Sequence, residues 1–394
     1  MVDDGRLQPE AFADVQTRVE RARGIRATAP IDVRIVGGAE LAEIVRRATL
    51  ADWPHGTLEK YQESLVTVGL WPSDKNLLDQ LAGTLGDEAV GLYVPEARAL
   101  YVVDGAAVPL RVRLASMLAG RDLVVEYALA HELVHYLQHQ AYPQIFDHIA
   151  TLRHDDDAAW ALQAAIEGDA VRYGFATFES MAAPPAPVDF ATRVEEGIHS
   201  GALAKQPGLI RRGLVFPYAA GYRLSVLEAS LLLDRPPAST EQALHPDKRW
   251  EPFLTIDVTA FRSSLPSACE AVYDNSLGEL GLSILLHDHL ADPDPVAWWG
   301  WDGDRYLVAR CAGQREFVWL TAWDTEHDAE EFAGAYREIA ASVRERGGLA
   351  AMPIVTVFGR DSLIATPALA AFGARLRSDA ERRRISGVDE LPHR

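Results

Sequence analysis

The segment Asp122–Gln140 places the strongest constraint on the fold, because its apolar residues cover most of a helix circumference. Their periodicity, with Pro143 just beyond the end, predicts one long helix. The apolar members are Leu123, Val124, Tyr127, Ala128, Leu129, Leu133, Val134 and Leu137. A helix this apolar is expected to be buried, yet it carries His131, Glu132 and His135. Buried imidazoles and carboxylates require polar partners or a metal ion.

These three polar residues have the spacing H-E-x-x-H, which places two histidines one helical turn apart. Residues four apart on a helix lie about 40° apart around the axis and about 6 Å apart along it. His131 and His135 can therefore direct both imidazoles at one tetrahedral Zn²⁺ ion. Glu132 lies one step round the helix, beside the ion, where a general base for a metal-bound water belongs. The alternative is a solvated helix with two surface histidines, which the apolar surroundings disfavour.

A zinc site of this kind needs a third protein ligand, and the sequence excludes two arrangements. His139 shares the helix face of His135 but lies about 6 Å further along the axis, out of reach of the same ion. The longer motif H-E-x-x-H-x-x-G-x-x-H requires a glycine and then a histidine where this chain has Gln138 and Ala141. The third ligand is therefore expected from a second helix.

Glu167 is the preferred third ligand. It is a lone carboxylate in a stretch of alanine and isoleucine, on a helix predicted from Asp156 to Met181. Gly168 beside it allows another backbone to approach closely. The alternative is a surface glutamate. Asp169 is a candidate acceptor for the N–H of a ligand histidine, although its side chain points away from that of Glu167.

Several segments resemble the gluzincin branch of the zincin metallopeptidases, in which H-E-x-x-H lies on one helix and a ligand glutamate on the next. One little-characterised bacterial group of that branch is similar to this chain in three segments, His131–Gln138, Glu167–Ala170 and Pro237–Pro246. The resemblance implies a mostly helical α+β zincin-like domain, with a hairpin at Gly91–Glu96 whose edge strand pairs with extended substrate. Thermolysin-like members carry an outer aspartate four residues after the ligand glutamate, where this chain has Val171.

Zinc peptidases also need a hydrogen-bond donor for the oxyanion that forms on the substrate carbonyl. The segment Phe216–Tyr222 resembles the Tyr-x-x-Gly segment of the aminopeptidase branch of gluzincins, whose tyrosine supplies that donor. By this resemblance Tyr218 is the first candidate and Tyr222 the second, with a structural tyrosine as the alternative. His245 is a further candidate, or else a cap at the end of a short helix that Ser239 begins.

Together these residues predict a zinc-dependent hydrolase, in the first place a metallopeptidase. Two neutral imidazoles and one carboxylate leave the site at a net charge of about +1, which brings a bound water toward a pKa of about 7. Glu132 would take the proton of that zinc-bound water as it attacks a peptide carbonyl, then pass it to the leaving amine. The expected partner is a peptide or protein substrate in extended form. A non-catalytic zinc-binding scaffold and a zinc hydrolase of non-peptide amides or esters stay open as alternatives.

Element patterns divide the chain into four expected parts. Residues 1–30 form a lead-in, residues 31–290 the zincin-like domain, residues 291–375 a small α+β unit, and residues 376–394 a frayed tail. Alternating strand and helix patterns predict the order ββαββ in the small unit. Its tryptophans are expected to pack in the core and at its rim. They are Trp298, Trp299, Trp301, Trp319 and Trp323.

The charge balance limits the partners. With 57 acidic and 38 basic residues the formal net charge is −19, so neither nucleic acid nor an anionic membrane surface is an expected partner. No apolar run is long enough for a membrane span, and the first residues do not form a signal peptide. The expected location is therefore soluble and cytoplasmic, or secreted or in the cell envelope if a signal has been removed. The oligomeric state stays open.

Two local features carry further expectations. Cys269 and Cys311 are too few for a disulfide scaffold, and two buried free thiols are expected rather than one disulfide. The acidic run Asp155–Asp157 is expected to be the solvated start of a helix, with a cation site as the alternative.

Overall fold

The architecture is a mixture of helices and small sheets, which confirms the expected α+β class. A computed structural model describes residues 2–3, 6–104, 123–177, 185–197, 203–228 and 231–391. The described helices are α1 Pro9–Arg23, α2 Gly38–Asp52, α3 Thr57–Thr67, α4 Leu77–Glu88, α5 Leu123–Ala141, α6 Pro143–Ile149, α7 Asp156–Ala176, α8 Pro187–Gly197, α9 Gly208–Glu228, α10 Thr240–Leu244, α11 Thr259–Arg262, α12 Gly278–His289, α13 Glu326–Gly347 and α14 Ala370–Asp379. The strands longer than two residues are β1 Asp32–Val36, β2 Gly91–Val94, β3 Ala99–Val103, β4 Phe253–Asp257, β5 Cys269–Asn275, β6 Trp301–Cys311, β7 Gln314–Trp323, β8 Ile354–Phe358, β9 Asp361–Ala365 and β10 Glu381–Ile385.

A three-stranded sheet of order β1-β3-β2 lies against the motif helix α5. β1 runs parallel to β3, while β2 and β3 form the predicted antiparallel hairpin through the turn at Pro95–Arg98. β2 pairs with β3 alone, so its other side is a free edge within the described chain. Leu100 and Val102 pack with Leu133 and Val134 of α5, which fixes the sheet beside that helix.

α1 gives the predicted lead-in a structural role. Its buried Val15 and Val19 join the apolar core under α5. Arg18 pairs with Glu126 of α5, and the end of α1 reaches α7. The sequence patterns at residues 1–30 missed this packing because α1 is mostly polar, with Phe12, Val15 and Val19 as the large apolar residues that face the core.

The two longest helices of the central region, α7 and α9, pack side by side and share the largest apolar core. The predicted α7 end at Met181 lies outside the described residues, and the described helix ends at Ala176. α9 begins at Gly208 and continues through Pro217 to Glu228.

The C-terminal unit contains the predicted ββαββ order in a five-stranded antiparallel sheet, β8-β9-β7-β6-β5. α13 covers one face, where Phe332 and Tyr336 pack on Trp319. α14 covers the other face through Phe372 and Leu376. Four of the five tryptophans are buried as expected, and Trp299 is 50% exposed at the rim.

Two parts of this unit extend beyond the expected boundaries. The edge strand β5 precedes residue 291, yet it pairs with β6. In the segment expected to be a frayed tail, β10 pairs with β4, and Ile385 and Leu391 are buried. Strand pairing to a remote partner holds both segments, and sequence patterns do not reveal such pairing.

The two cysteines form a disulfide, so the expectation of free thiols is wrong. Cys269 lies directly opposite Cys311 where β5 pairs with β6. The register of the sheet brings the two sulfurs together, and local composition does not reveal that register.

The acidic run Asp155–Asp157 was expected to be solvated, but two of its three carboxylates are buried. Asp155 caps α7 by accepting the N–H of Ala158, but Asp156 and Asp157 are only 8% and 1% exposed. Tyr61 donates its hydroxyl to Asp156, and Thr240 donates both N–H and hydroxyl to Asp157. These carboxylates therefore join α7 to α3 and α10.

Within the described ranges, no helix combines the length and apolarity that a bilayer crossing requires.

Candidate metal centre

His131, His135 and Glu167 converge where α5 crosses α7. Nε2 of His131 lies 3.0 Å from Nε2 of His135 and 3.0 Å from Oε2 of Glu167. Nε2 of His135 lies 3.3 Å from the same carboxylate oxygen. All three side chains are buried, and their donor atoms form a group that could hold a metal ion.

The spacing of these atoms fits an ion bound between them. A tetrahedral ion with bonds of about 2.0–2.2 Å separates its ligand atoms by about 3.3–3.5 Å, within a few tenths of an ångström of the distances between these side chains. Two imidazole nitrogens and one carboxylate oxygen are donors that suit a divalent transition metal. No other group of at least three His, Cys, Asp or Glu ligand atoms comes this close together in the described parts of the chain.

The Glu167 carboxylate is oriented by its neighbour one turn earlier. Gln163 donates its amide N–H to Oε1 at 2.9 Å, which leaves Oε2 facing the two histidines.

Gly168 allows another backbone to approach closely, as expected, because a Cβ there would lie 2.0 Å from the carbonyl oxygen of Gly221 on α9. α7 and α9 therefore touch backbone to backbone beside the centre.

Gln138, rather than Asp169, contacts His135. Oε1 of Gln138 lies 2.9 Å from Nδ1 of His135, while its amide nitrogen donates to the Ile166 carbonyl and to Asp169 at 2.9 and 2.8 Å. With both amide hydrogens used, Oε1 acts as the acceptor and holds a proton on Nδ1 of His135, so Nε2 is the nitrogen that faces His131 and Glu167. Asp169 therefore acts through Gln138, in an ion pair with Arg23 of α1 at 3.2 Å.

Three of these supporting residues were missed from the sequence, and two carry a local signal. Gln138 lies three residues after His135, and Gln163 four residues before Glu167, which are the helical spacings at which side chains meet. Arg23 comes from a remote helix and has no such signal.

The charges of the triad are coupled when no metal is bound. Burial lowers the pKa of His135, but the charge of Glu167 and the hydrogen bond to it raise that pKa to about 9. Burial likewise raises the pKa of Glu167, and the charge of His135 together with hydrogen bonds from both histidines lowers it well below its usual range. A bound metal ion would replace this shared proton, because metal ligands must be deprotonated.

Glu132 lies beside the triad on the side of the edge strand. Its Oε2 accepts the N–H of Tyr93 in β2 at 2.6 Å. A Cβ added to Gly91 would lie 3.0 Å from Cγ of Glu132, so the strand can approach the carboxylate this closely only without a side chain there. The carboxylate is 8% exposed and is not part of the ligand group.

A cavity of about 1120 Å³ opens over these residues. His131, Glu132, His135 and Glu167 lie in its wall, together with the edge strand β2. Its other walls are largely apolar and come from α2, α4, α5 and the α7–α9 region. The three candidate metal ligands, the Glu132 carboxylate and the outer edge of β2 therefore face one large space.

Of the three candidate oxyanion donors, Tyr218 is the one at the centre. Its ring stacks on His131 at 5.8 Å and lines the cavity. The negative charge of Glu167, to which it is hydrogen-bonded, followed by burial, raises the pKa of Tyr218 well above its usual range, so the phenol keeps its proton. Tyr127 of α5, missed from the sequence, also faces the cavity, 6.2 Å from the His131 ring.

The other two candidates lie elsewhere. Tyr222 donates to the Pro185 carbonyl at 3.0 Å and packs against Phe175, because it faces α8 rather than α5. His245 ends α10 and lies 2.7 Å from Glu279, which makes it a cap and ion-pair residue. His139 is also outside the ligand group, as expected.

Comparison with known proteins reaches only the C-terminal unit. The model of a domain of unknown function, DUF8575, matches residues 267–359, a span that runs from β5 to β8. This span contains none of the ligand-group residues. No curated protein and no solved structure matches the chain. The chemistry of the centre therefore rests on its own geometry.

Proposed function

We propose that this protein is a zinc-dependent peptidase of the gluzincin type, with His131, His135 and Glu167 as metal ligands and Glu132 as general base. One observation carries the proposal. Two imidazole nitrogens and one carboxylate oxygen lie within 4.8 Å of one another, with a separate carboxylate beside them in the same cavity. A purely structural zinc site has four protein ligands. It has no use for a carboxylate such as Glu132 that lies beside the ion without binding it.

Each side chain has a distinct task in this proposal. A zinc ion held by the triad would supply Lewis acidity, polarising the scissile carbonyl and lowering the pKa of water. Glu132 takes a proton from the attacking water and later donates it to the leaving amine. Tyr218, protonated and stacked on His131, would turn its one hydroxyl hydrogen from Glu167 to the oxyanion when substrate is bound. Gln138 and Gln163 hold His135 and Glu167 in orientation.

The edge strand supports a peptide as the substrate. The outer edge of β2 lines the cavity beside Glu132, and its groups other than the Tyr93 N–H, which Glu132 accepts, can pair with an extended backbone, which folded or non-peptide substrates do not present. The cavity is large enough for several residues of such a chain. The rival functions are a non-catalytic zinc-binding scaffold and a hydrolase of non-peptide amides or esters.

Metal analysis combined with hydrolysis tests the proposal. The purified protein is expected to bind one zinc ion per chain and to cleave an unfolded protein such as reduced, alkylated casein. Glu132→Gln should keep the zinc and lose turnover by about 10²-fold or more, whereas Glu88→Gln, on the cavity wall but away from the triad, should retain both. Zinc without cleavage of casein or of an ester panel would support the scaffold. Cleavage of esters alone would support the non-peptide hydrolase, and full turnover in Glu132→Gln would exclude Glu132 as the base.

A further inference from the structure

Tyr93 contacts both the candidate base and the motif helix, through two different groups. Its main-chain N–H donates to Oε2 of Glu132 at 2.6 Å. Its phenol oxygen lies 2.7 Å from Nδ1 of His139, about two helical turns further along α5. One residue of the edge strand is therefore attached to α5 at both ends of the segment that carries the metal ligands.

The register of the hairpin explains why this N–H is available. Val103 donates its N–H to the carbonyl of Val90, so these two residues form a hydrogen-bonded pair of the β2–β3 ladder. Hydrogen-bonded and non-hydrogen-bonded pairs alternate along antiparallel strands, which directs the N–H groups of Gly91 and Tyr93 away from β3. The sheet therefore leaves the Tyr93 N–H free to reach Glu132.

The phenol–imidazole contact is enclosed by other rings. The Tyr136 ring lies 6.0 Å from that of Tyr93, and the Phe146 ring lies 4.8 Å from that of His139. Burial raises the pKa of Tyr93, while burial and then the positive charge of Arg98 lower the pKa of His139. Both groups are therefore neutral near pH 7, and the contact is an ordinary hydrogen bond between neutral partners that fixes the ring of Tyr93.

Among the described residues, the Glu132 carboxylate is held through one of its two oxygens. Oε2 accepts the Tyr93 N–H, and in the described part of the chain no donor is found for Oε1. The hydrogen bond thereby fixes the rotation of the carboxylate while leaving one oxygen available to exchange a proton.

We propose that Tyr93 is a positioning residue for Glu132, and that His139 is the positioning residue for Tyr93. The inference rests on the proposed peptidase function for its effect on turnover, but the restraint itself is a property of the folded chain. Loss of the phenol–imidazole hydrogen bond would release the β2 edge and let the carboxylate rotate. Turnover would then fall while metal binding stays intact, because neither residue belongs to the ligand triad.

The restraint is tested without activity by hydrogen–deuterium exchange of the zinc-loaded full chain. Tyr93→Phe and His139→Phe should each speed exchange in the segment 90–96 by about fivefold, because the loss of a hydrogen bond worth about 1 kcal/mol makes local opening easier by about that factor. His139→Gln keeps an acceptor and should restore most of the protection. Tyr136→Phe, which keeps the ring beside Tyr93, is the control. Unchanged exchange in both His139→Phe and Tyr93→Phe would overturn the proposal.

Kinetic measurements then test whether the hydrogen bond between Tyr93 and His139 helps Glu132 to act as the general base. Both variants should lower kcat by about tenfold with KM and zinc content unchanged, and the double variant should be no worse than either single variant. Additive losses, or a change in KM alone, would overturn the positioning role. Failure of the wild-type protein to cleave any substrate would instead count against the proposed function, while the exchange measurement would still decide the restraint.

Discussion

Gly168 and Gly221 meet backbone to backbone where α7 crosses α9. A Cβ on Gly168 would lie 2.0 Å from the carbonyl oxygen of Gly221, and a Cβ on Gly221 would lie 1.9 Å from the carbonyl oxygen of Ala164. Glu167 is the neighbour of one glycine, and Tyr218 lies one turn before the other. This crossing therefore sets how closely the tyrosine approaches the Glu167 carboxylate, the candidate metal ligand.

Gly221→Ala should separate the two helices. Because backbone atoms occupy the space of the new methyl group, we expect a loss of about 1–3 kcal/mol or more in the free energy of unfolding, measured by urea denaturation. Gly213→Ala on the same helix is the matched control, since its nearest neighbour, a Trp160 ring atom, would lie 3.6 Å away. That control should be neutral or gain about 0.5–1 kcal/mol from helix propensity. Equal stability of the two variants would contradict the close crossing.

Gln138→Leu should weaken zinc binding without displacing a ligand. His135 would lose the acceptor that keeps its proton on Nδ1, and we expect the affinity to fall by about 10–100-fold in a chelator competition assay. Gln140→Leu, on the same helix but bonded to Thr28 and Arg26, should leave the affinity unchanged. An unaltered affinity in a folded Gln138→Leu protein would show that His135 needs no such partner.

Asp156→Asn should flatten the dependence of stability on pH. Burial raises the pKa of Asp156 to about 7, against the opposing hydrogen bonds from Asn275 and Tyr61. The unfolded carboxyl titrates near 3.9, so the folded state binds its proton more tightly and stability from this group falls as pH rises from about 4 to 7.

The amide of this variant keeps an acceptor for Tyr61 and carries no charge. Urea unfolding between pH 4.5 and 8 should show the wild type losing about 1–4 kcal/mol more than the variant. Asp292→Asn removes a charge at an exposed position and should follow the wild type. A variant that loses as much stability as the wild type would refute the assignment.

Much of the centre follows from local sequence. The i, i+4 geometry of a helix makes His131 and His135 converge in any helix that contains them, and the apolar surroundings place that helix in the interior. The hairpin beside it follows from alternation and a short turn. The order ββαββ of the C-terminal unit follows from the same kinds of pattern.

Other features of the chain depend on contacts between remote segments. Tyr218 and Tyr222 lie one turn apart on α9, yet the first meets His131 of α5 while the second contacts Phe190 of α8. Cys269 pairs with Cys311 because of the strand register.

The sequence by itself determined the donor atoms and their local spacing: two imidazoles, a neighbouring carboxylate and a second carboxylate on another helix. Tertiary structure alone decided which remote groups orient them, with Gln138 rather than Asp169 on His135, and the N–H of Tyr93 on Glu132. The physical reason is the separation along the chain between the residues that each kind of contact brings together. Backbone geometry fixes the positions of residues within a turn or two, whereas helix crossings and strand registers emerge only when the whole core packs.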